Sequence, residues 1–179
     1  MGSSSGNLTK ARVANLLVAV AQVVEDAVAQ NVEPELSAGS SAVAALVSVR
    51  RQPGLSIDGL RRILGLTHSG TVRLVDRLEA DALITRRKDG GRSVRLSLTA
   101  SGRRAVRKIE AARLAAVEAL LEPLSEDALP GLDARLSLIL AAQTENDDDL
   151  HRICRVCSFE ACQAERQCPV DLAASGQSF

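Results

Sequence analysis

The sequence predicts a mainly α fold with one small β-hairpin, an α+β arrangement in one domain with a short appendage. Three observations predict it. Apolar residues recur at 3- and 4-residue spacings through most of the chain. The period drops to 2 once, after Ala82. Ser, Thr, Gly and Pro stand where helices of that period should start and stop. At 179 residues, with 46% hydrophobic and 25% charged, the chain suits a globular protein. Two Phe and no Trp or Tyr exclude an aromatic platform for stacking bases. No 18-residue uncharged apolar run occurs, so no membrane span is expected.

Each element has its own justification. Residues 1–7 lack a basic leader region and a myristoylation pattern; they are expected to be a flexible end, and the cytoplasm is the expected compartment. Residues 8–30 read as a helix on Val13, Leu16, Leu17, Val20, Val23, Val24, Ala27 and Val28. Its stripe is wide enough to expect burial on more than one side. Glu33-Pro34 ends it. Residues 37–51 form a second helix, with Ser37 as N-cap and Val43, Ala44, Leu46 and Val47 apolar. Ser56 caps a short helix through Leu64, stopped by Gly65. Thr67 caps the next, whose Val72, Val75 and Leu78 are expected to face the core. The three residues between them make a helix-turn-helix.

Leu83-Ile84-Thr85 is then a short strand, and Val94 to Leu98 alternates strictly apolar and polar. Between them Arg86 to Arg92 is a basic hairpin tip. Helix, helix and basic hairpin together are a winged helix-turn-helix. Thr99 caps a long helix to about Leu121, broken by Pro123. Ser125 caps the last core helix, with Leu129, Leu132, Leu136, Ile139 and Leu140 as its stripe. Residues 144–149 are expected to be an acidic linker, 150–172 a cysteine segment and 173–179 a flexible end.

Formal charge sums to zero but is unevenly placed. Residues 1–49 carry a net −2, residues 50–109 a net +10 and residues 110–179 a net −8. The basic block is the footprint of a polyanion partner; a salt-bridged, solvated surface would give the same count. Catalysis finds no support, since no nucleophile elbow, phosphate loop, zinc-protease or dinucleotide motif is present, and no enzyme is expected.

Three stretches in order carry a resemblance. They are Leu66-Thr-His-Ser-Gly-Thr-Val-Arg-Leu-Val-Asp-Arg-Leu-Glu79, Ala82-Leu-Ile-Thr-Arg-Arg87 and Arg92-Ser-Val-Arg-Leu-Ser-Leu-Thr-Ala-Ser-Gly102. They resemble the MarR family of transcriptional regulators, over residues 8–143. The resemblance implies a homodimer whose long flanking helices pair, with two winged domains on a pseudo-palindromic operator. It implies a sequence-specific DNA-binding regulator, a repressor, acting at the nucleoid, and a response to a small ligand or oxidant. The sequence departs from the pattern at Ala82, where Gly is usual, and carries Gly59 and Gly70 inside helices, each costing roughly 0.5–1 kcal/mol relative to Ala.

A recognition helix meets base edges with its N-terminal half. That turns His68, Ser69, Thr71 and Arg73 outward. Arg73 is suited to a guanine, Ser69 or Thr71 to bases or phosphate, and Arg77 to phosphate. From the wing, Arg86, Arg87, Lys88, Arg92 and Arg95 would reach phosphates or the minor groove. The bland alternative for the helix is intrahelical pairing, Arg73 with Asp76 and Arg77 with Asp81. A different class of function competes: a metal- or redox-binding interaction module using the winged helix only as scaffold.

All four cysteines fall in one window, Cys154-x2-Cys157-x4-Cys162-x5-Cys168, followed by Pro169. Such clustering suggests thiolate ligands for an iron–sulfur cluster or zinc, with a dithiol–disulfide pair and inert thiols as alternatives. His151 is a spare ligand or an exposed polar residue. Ile153, Val156, Phe159 and Val170 are expected to shield the site. No Cys precedes 154 and no aromatic precedes 159, so a core-thiol sensor and a stacking ligand pocket are both excluded.

Overall fold

Helix α1 (Ser4–Val32) packs along α5 (Ala100–Leu121), and α2 (Gly39–Arg51) sits at the centre of the domain. The computed structural model describes residues 4–32, 39–88, 94–164 and 167–177. Every α2 residue from Ala42 to Val49 is buried. Its small and branched side chains let α3 (Ile57–Leu64), α4 (His68–Ala80) and α5 approach on several sides. Ser48 is tolerated there because its hydroxyl donates to the Ala44 carbonyl, 2.7 Å away. Ser37, the expected cap, lies outside the described residues.

The helix-turn-helix is built by its caps. Ser56 Oγ accepts from Gly59 N at 3.0 Å. Gly65 closes α3 at φ 65°, the left-handed region that glycine enters without penalty. Thr67 Oγ1 then accepts from Gly70 N at 3.1 Å to start α4. Gly59 and Gly70 thus sit in first turns, with the side-chain oxygen of the cap against each of them.

The sheet has three antiparallel strands, β1 (Leu55–Ser56), β2 (Ile84–Lys88) and β3 (Val94–Leu98), in the order β1-β3-β2. Its register pairs Leu55 with Leu96 and Ile84 with Leu98. β1 was not expected, since two residues are too few to show a period. β2 also runs three residues beyond Thr85, because its ladder with β3 continues through Arg86, Arg87 and Lys88.

Two further expectations change. The helix after Pro123 opens as a 3-10 turn (Glu126–Ala128) and continues as α6 (Leu129–Ala141). Its stripe is not core: Leu129, Leu136, Ile139 and Leu140 are exposed, because no element among the described residues covers them. The acidic run is not a bare linker. Asn146 caps α7 (Asp147–Ile153), accepting from Asp149 N at 3.1 Å, and three Asp occupy the first turn, where the helix dipole favours them. Then come α8 (Phe159–Gln163) and α9 (Pro169–Ala174). α9 closes on Gly176 at φ 71°, with Gln177 N donating to Leu172 O at 3.0 Å, so order extends past residue 173.

α1 resembles α6 in its exposure. Val18 is 70% exposed and Leu138 of α6 is 61% exposed. The wide stripe of α1 is therefore not buried within one chain. By length and composition alone, Lys10–Asn31 is apolar enough to cross a membrane, with a mean hydropathy of 1.4. That amends the expectation drawn from uncharged runs, although α1 also has a protein neighbour in α5.

Candidate nucleic-acid interface and cysteine cluster

The outer face of α4 follows from its inner one. Thr71, Val75 and Leu78 are buried, at spacings of four and three. That corrects the expectation for Thr71, which is fully buried rather than turned outward. Its hydroxyl donates to the Thr67 carbonyl at 3.0 Å, so the group enters the core already satisfied. Val72 is only half-buried. His68, Ser69, Arg73 and Arg77 are exposed, as expected.

The intrahelical alternative does not form. Neither Arg73 nor Arg77 makes an ion pair within 4 Å among the described residues, and Asp76 is engaged elsewhere. Its partner is Arg86, whose guanidinium reaches Asp76 at 2.6 Å and Glu79 at 2.9 Å. Arg86 therefore ties β2 to α4 and is not free to meet phosphate, a second correction. Its Nε is buried without a hydrogen-bond partner.

On the wing, Arg87 and Arg95 are exposed and directly opposite each other in the register. Like charges so placed repel, and an anion between them relieves the cost. Arg95 also donates to the Gly54 carbonyl at 3.3 Å. Lys88 ends β2, with no side-chain position described, and Arg92 lies outside the described residues. The exposed cations brought to the α4 and wing surface are thus Arg73, Arg77, Arg87 and Arg95.

Gly102, which has no room for a side chain, and Ala82, in a left-handed conformation, join the wing to α5. Thr99 Oγ1 donates to Ala82 O at 2.6 Å and accepts from Gly102 N at 2.9 Å. A Cβ on Gly102 would stand 2.0 Å from the Leu83 carbonyl oxygen. Ala82 itself has φ 54°, the left-handed conformation for which glycine is suited.

The cysteine segment is docked on the winged domain rather than trailing from it. α7 packs on α3, and α9 packs on both α6 and α7. Arg50 pairs with both Glu110 of α5 and Glu160 of α8. Burial pushes the Glu110 carboxyl up in pKa, while Arg50 opposes the shift. Arg51 donates to the Cys154 carbonyl at 3.4 Å, and its guanidinium lies 5.2 Å from the centre of the Phe159 ring. Two arginines at the end of α2 thus hold the segment, which sequence spacing could not show, because the contacts span 103 and 110 residues.

Cys154 and Cys168 are buried with Leu150 and Val170 in a small second core, with Ile153 and Ala174 packed on it. Cys157 and Cys162 are exposed, as is Phe159. The four thiols interact in pairs. Cys154 donates toward Cys157 and Cys168, and Cys162 toward Cys168. The accepting sulfurs are acidified, Cys157 to about 7 by Cys154 first, with help from Arg51 and Arg113. The donating thiols of Cys154 and Cys162 are pushed up. Among the described residues, no three His, Cys, Asp or Glu side chains converge as a ready-made metal shell. His151 is half-buried, and burial followed by Arg51 holds its pKa below the ordinary value. Nearby, a cavity of about 450 Å³ has aliphatic walls from Val24, Val28, Val43 and Val156, with Glu25, Arg113 and Arg155 on its border.

Known proteins share this architecture. Residues 39–92 match the sequence profile of the MarR family. A MarR-family transcriptional regulator from Rhodococcus sp. RHA1 is 27% identical, over 73% of this chain and 93% of its own, with a TM-score of 0.59. CouR from Rhodococcus jostii RHA1, solved with p-coumaroyl-CoA, is 27% identical over 71% and 90%, with a TM-score of 0.55. RV1404 from Mycobacterium tuberculosis is 25% identical over 79% and 95%, with a TM-score of 0.59. Among curated proteins, nothing matches the sequence. Over residues 39–92 the chain thus resembles the MarR family, on a winged helix-turn-helix fold shared with MarR-family regulators, and the C-terminal cysteine segment lies outside the matched stretch.

Proposed function

We infer that this protein is a transcription repressor that binds a pseudo-palindromic DNA operator as a homodimer in the cytoplasm. The carrying observation is the outer face of α4. Arg73 and Arg77 lie there exposed and without an ion pair among the described residues, on a helix braced by Arg86 from behind. A helix held in one orientation, with unpaired cations one turn apart, fits a major groove and its phosphates. Arg87 and Arg95 extend the positive surface toward the neighbouring groove. The apolar faces of α1 and α6 supply the dimer contact. The cavity, lined by aliphatic side chains with Glu25, Arg113 and Arg155 at its border, suits a small, largely apolar effector. The docking of the cysteine segment on α2 and α3 supports a reading in which its metal or redox state sets DNA affinity.

The test is selection of bound duplexes from a random-sequence pool by the full-length protein, followed by a salt titration on the enriched sequence. The reading expects an inverted repeat, a steep loss of affinity with salt and loss of selectivity in Arg73→Ala. Negligible, salt-insensitive binding would leave the winged domain as scaffold only.

A further inference from the structure

We propose that α7, α8 and α9 form a strap that couples α6 to the helix-turn-helix and so sets the separation of the two α4 helices in the dimer. The inference takes the dimer and its operator from the proposed function. The coupling itself rests on how the strap is packed.

α6 is joined to the rest of its chain mainly through the strap. Among the described residues it packs on α9 and on the 3-10 turn that precedes it. Its covered side carries Ala134, Ser137 and Ala141, three and four residues apart. Side chains this small let a neighbouring helix come close. Leu136, Leu138 and Ile139 stay open on the remaining surface. The strap and a second copy of the chain therefore use different sides of one helix. From α9 the packing continues to α7, and from α7 to α3, the first helix of the helix-turn-helix.

A second line of contact runs to α2. Arg50 pairs with Glu160 of α8. Arg51 donates to the Cys154 carbonyl at 3.4 Å and lies 5.2 Å from the centre of the Phe159 ring. Arg155 and Val156, in the turn after α7, form one wall of the cavity shared with α1, α2 and α5. Both α2 and α3 pack directly on α4. The strap thus touches the helix that carries dimer surface and the two helices that hold α4 in place. A contiguous set of packed elements of this kind carries energetic coupling.

The attachment is light. Apart from the two cysteines, Leu150 and Val170 are the apolar side chains buried in the strap, and α8 buries none. An exposed ion pair and one cation–ring contact add little to that packing. Elements held this lightly open locally well before their domain unfolds. Continuous packing supplies the coupling, and light attachment makes it releasable.

Full-length protein is compared with the double variant Phe159→Ala/Glu160→Gln. Both changes are at exposed positions of α8, and Arg50 keeps its pairing with Glu110. Hydrogen exchange should quicken about tenfold in α7 and α9, and with them in α3 and α6, while α2 keeps wild-type rates. Inverted repeats with half-sites moved together or apart by single base pairs are then titrated. The wild type should favour one spacing by about tenfold or more, as a fixed separation of recognition helices requires. The variant should bind an isolated half-site as before and lose most of that preference. Faster exchange confined to α8, or a variant that keeps the full spacing preference, overturns the proposal. If neither protein binds any inverted repeat, the proposed function falls, and exchange in α3 and α6 decides by itself whether the strap couples them.

Discussion

At the scale of single residues, two positions where the wing joins α5 make opposite demands on a methyl group. Ala82 holds φ 54°, where a Cβ crowds the following carbonyl and costs an L-residue roughly 1–2 kcal/mol. Replacing it by Gly removes that strain but loosens the unfolded chain, which offsets part of the gain. Ala82→Gly should therefore stabilise by about 0.5–1 kcal/mol, seen as a higher urea midpoint with an unchanged slope. Gly102 is the reverse case. Its missing Cβ is what lets α5 lie against the Leu83 backbone, at a separation where any side chain collides. Gly102→Ala should cost about 2–3 kcal/mol or prevent folding. A Gly102→Ala variant as stable as the wild type would mean that α5 does not approach Leu83 so closely. Thr71 shows how a residue misleads a sequence reading. It lies four residues before Val75 and seven before Leu78, at the N-terminal end of the buried stripe and in register with it, so its place was legible from spacing. Its polar identity pointed outward instead, and only the bond to the Thr67 carbonyl reconciles hydroxyl with burial.

At the scale of elements, α4 and β2 act as one unit because Arg86 bridges Asp76 and Glu79. This separates two roles among arginines that composition treats alike. Arg86→Met should lower stability by about 1 kcal/mol, the size expected of a partly exposed pair of bridges. Arg73→Ala should leave the melting curve in place, weaken DNA binding and reduce the salt slope by about one. Measuring both variants by thermal denaturation and by fluorescence anisotropy over a salt series sorts the roles. Equal effects on both readouts for both residues would refute the division. Caps, period and turn chemistry made the helix-turn-helix and β3 legible in the sequence, because they act within four residues. Arg86 with its two partners was not legible, nor were Arg50 and Arg51 holding the cysteine segment. Those contacts join elements whose relative placement is set by packing, and nothing in local spacing records it.

At the scale of the whole molecule, what a single chain leaves unsatisfied is its exposed apolar surface. Val13, Leu16, Leu17, Val18, Val20 and Val23 lie open on α1, and Leu136, Leu138, Ile139 and Leu140 on α6. Apolar surface of this extent on α1 and on α6 supports the proposed contact between two copies. A twofold axis through it would cover the patch of each copy with that of the other and fix the separation of the two α4 helices. Half-sites of an inverted repeat must then lie one helical turn apart or a multiple of it. Val18→Asp places a charge at the most exposed apolar position of α1, where the separate chain tolerates it and a dimer seam does not. Sedimentation should show the wild type as a dimer and the variant as a monomer with the same far-UV circular dichroism. Binding to the full inverted repeat should fall by about two orders of magnitude or more, since the second half-site no longer adds through the link. Binding to an isolated half-site should hardly change. If Val18→Asp remains dimeric, the twofold contact lies on another face, and the spacing of half-sites loses its structural basis. If it becomes monomeric yet keeps full affinity for the repeat, each winged domain binds by itself, and the operator reads single copies rather than pairs.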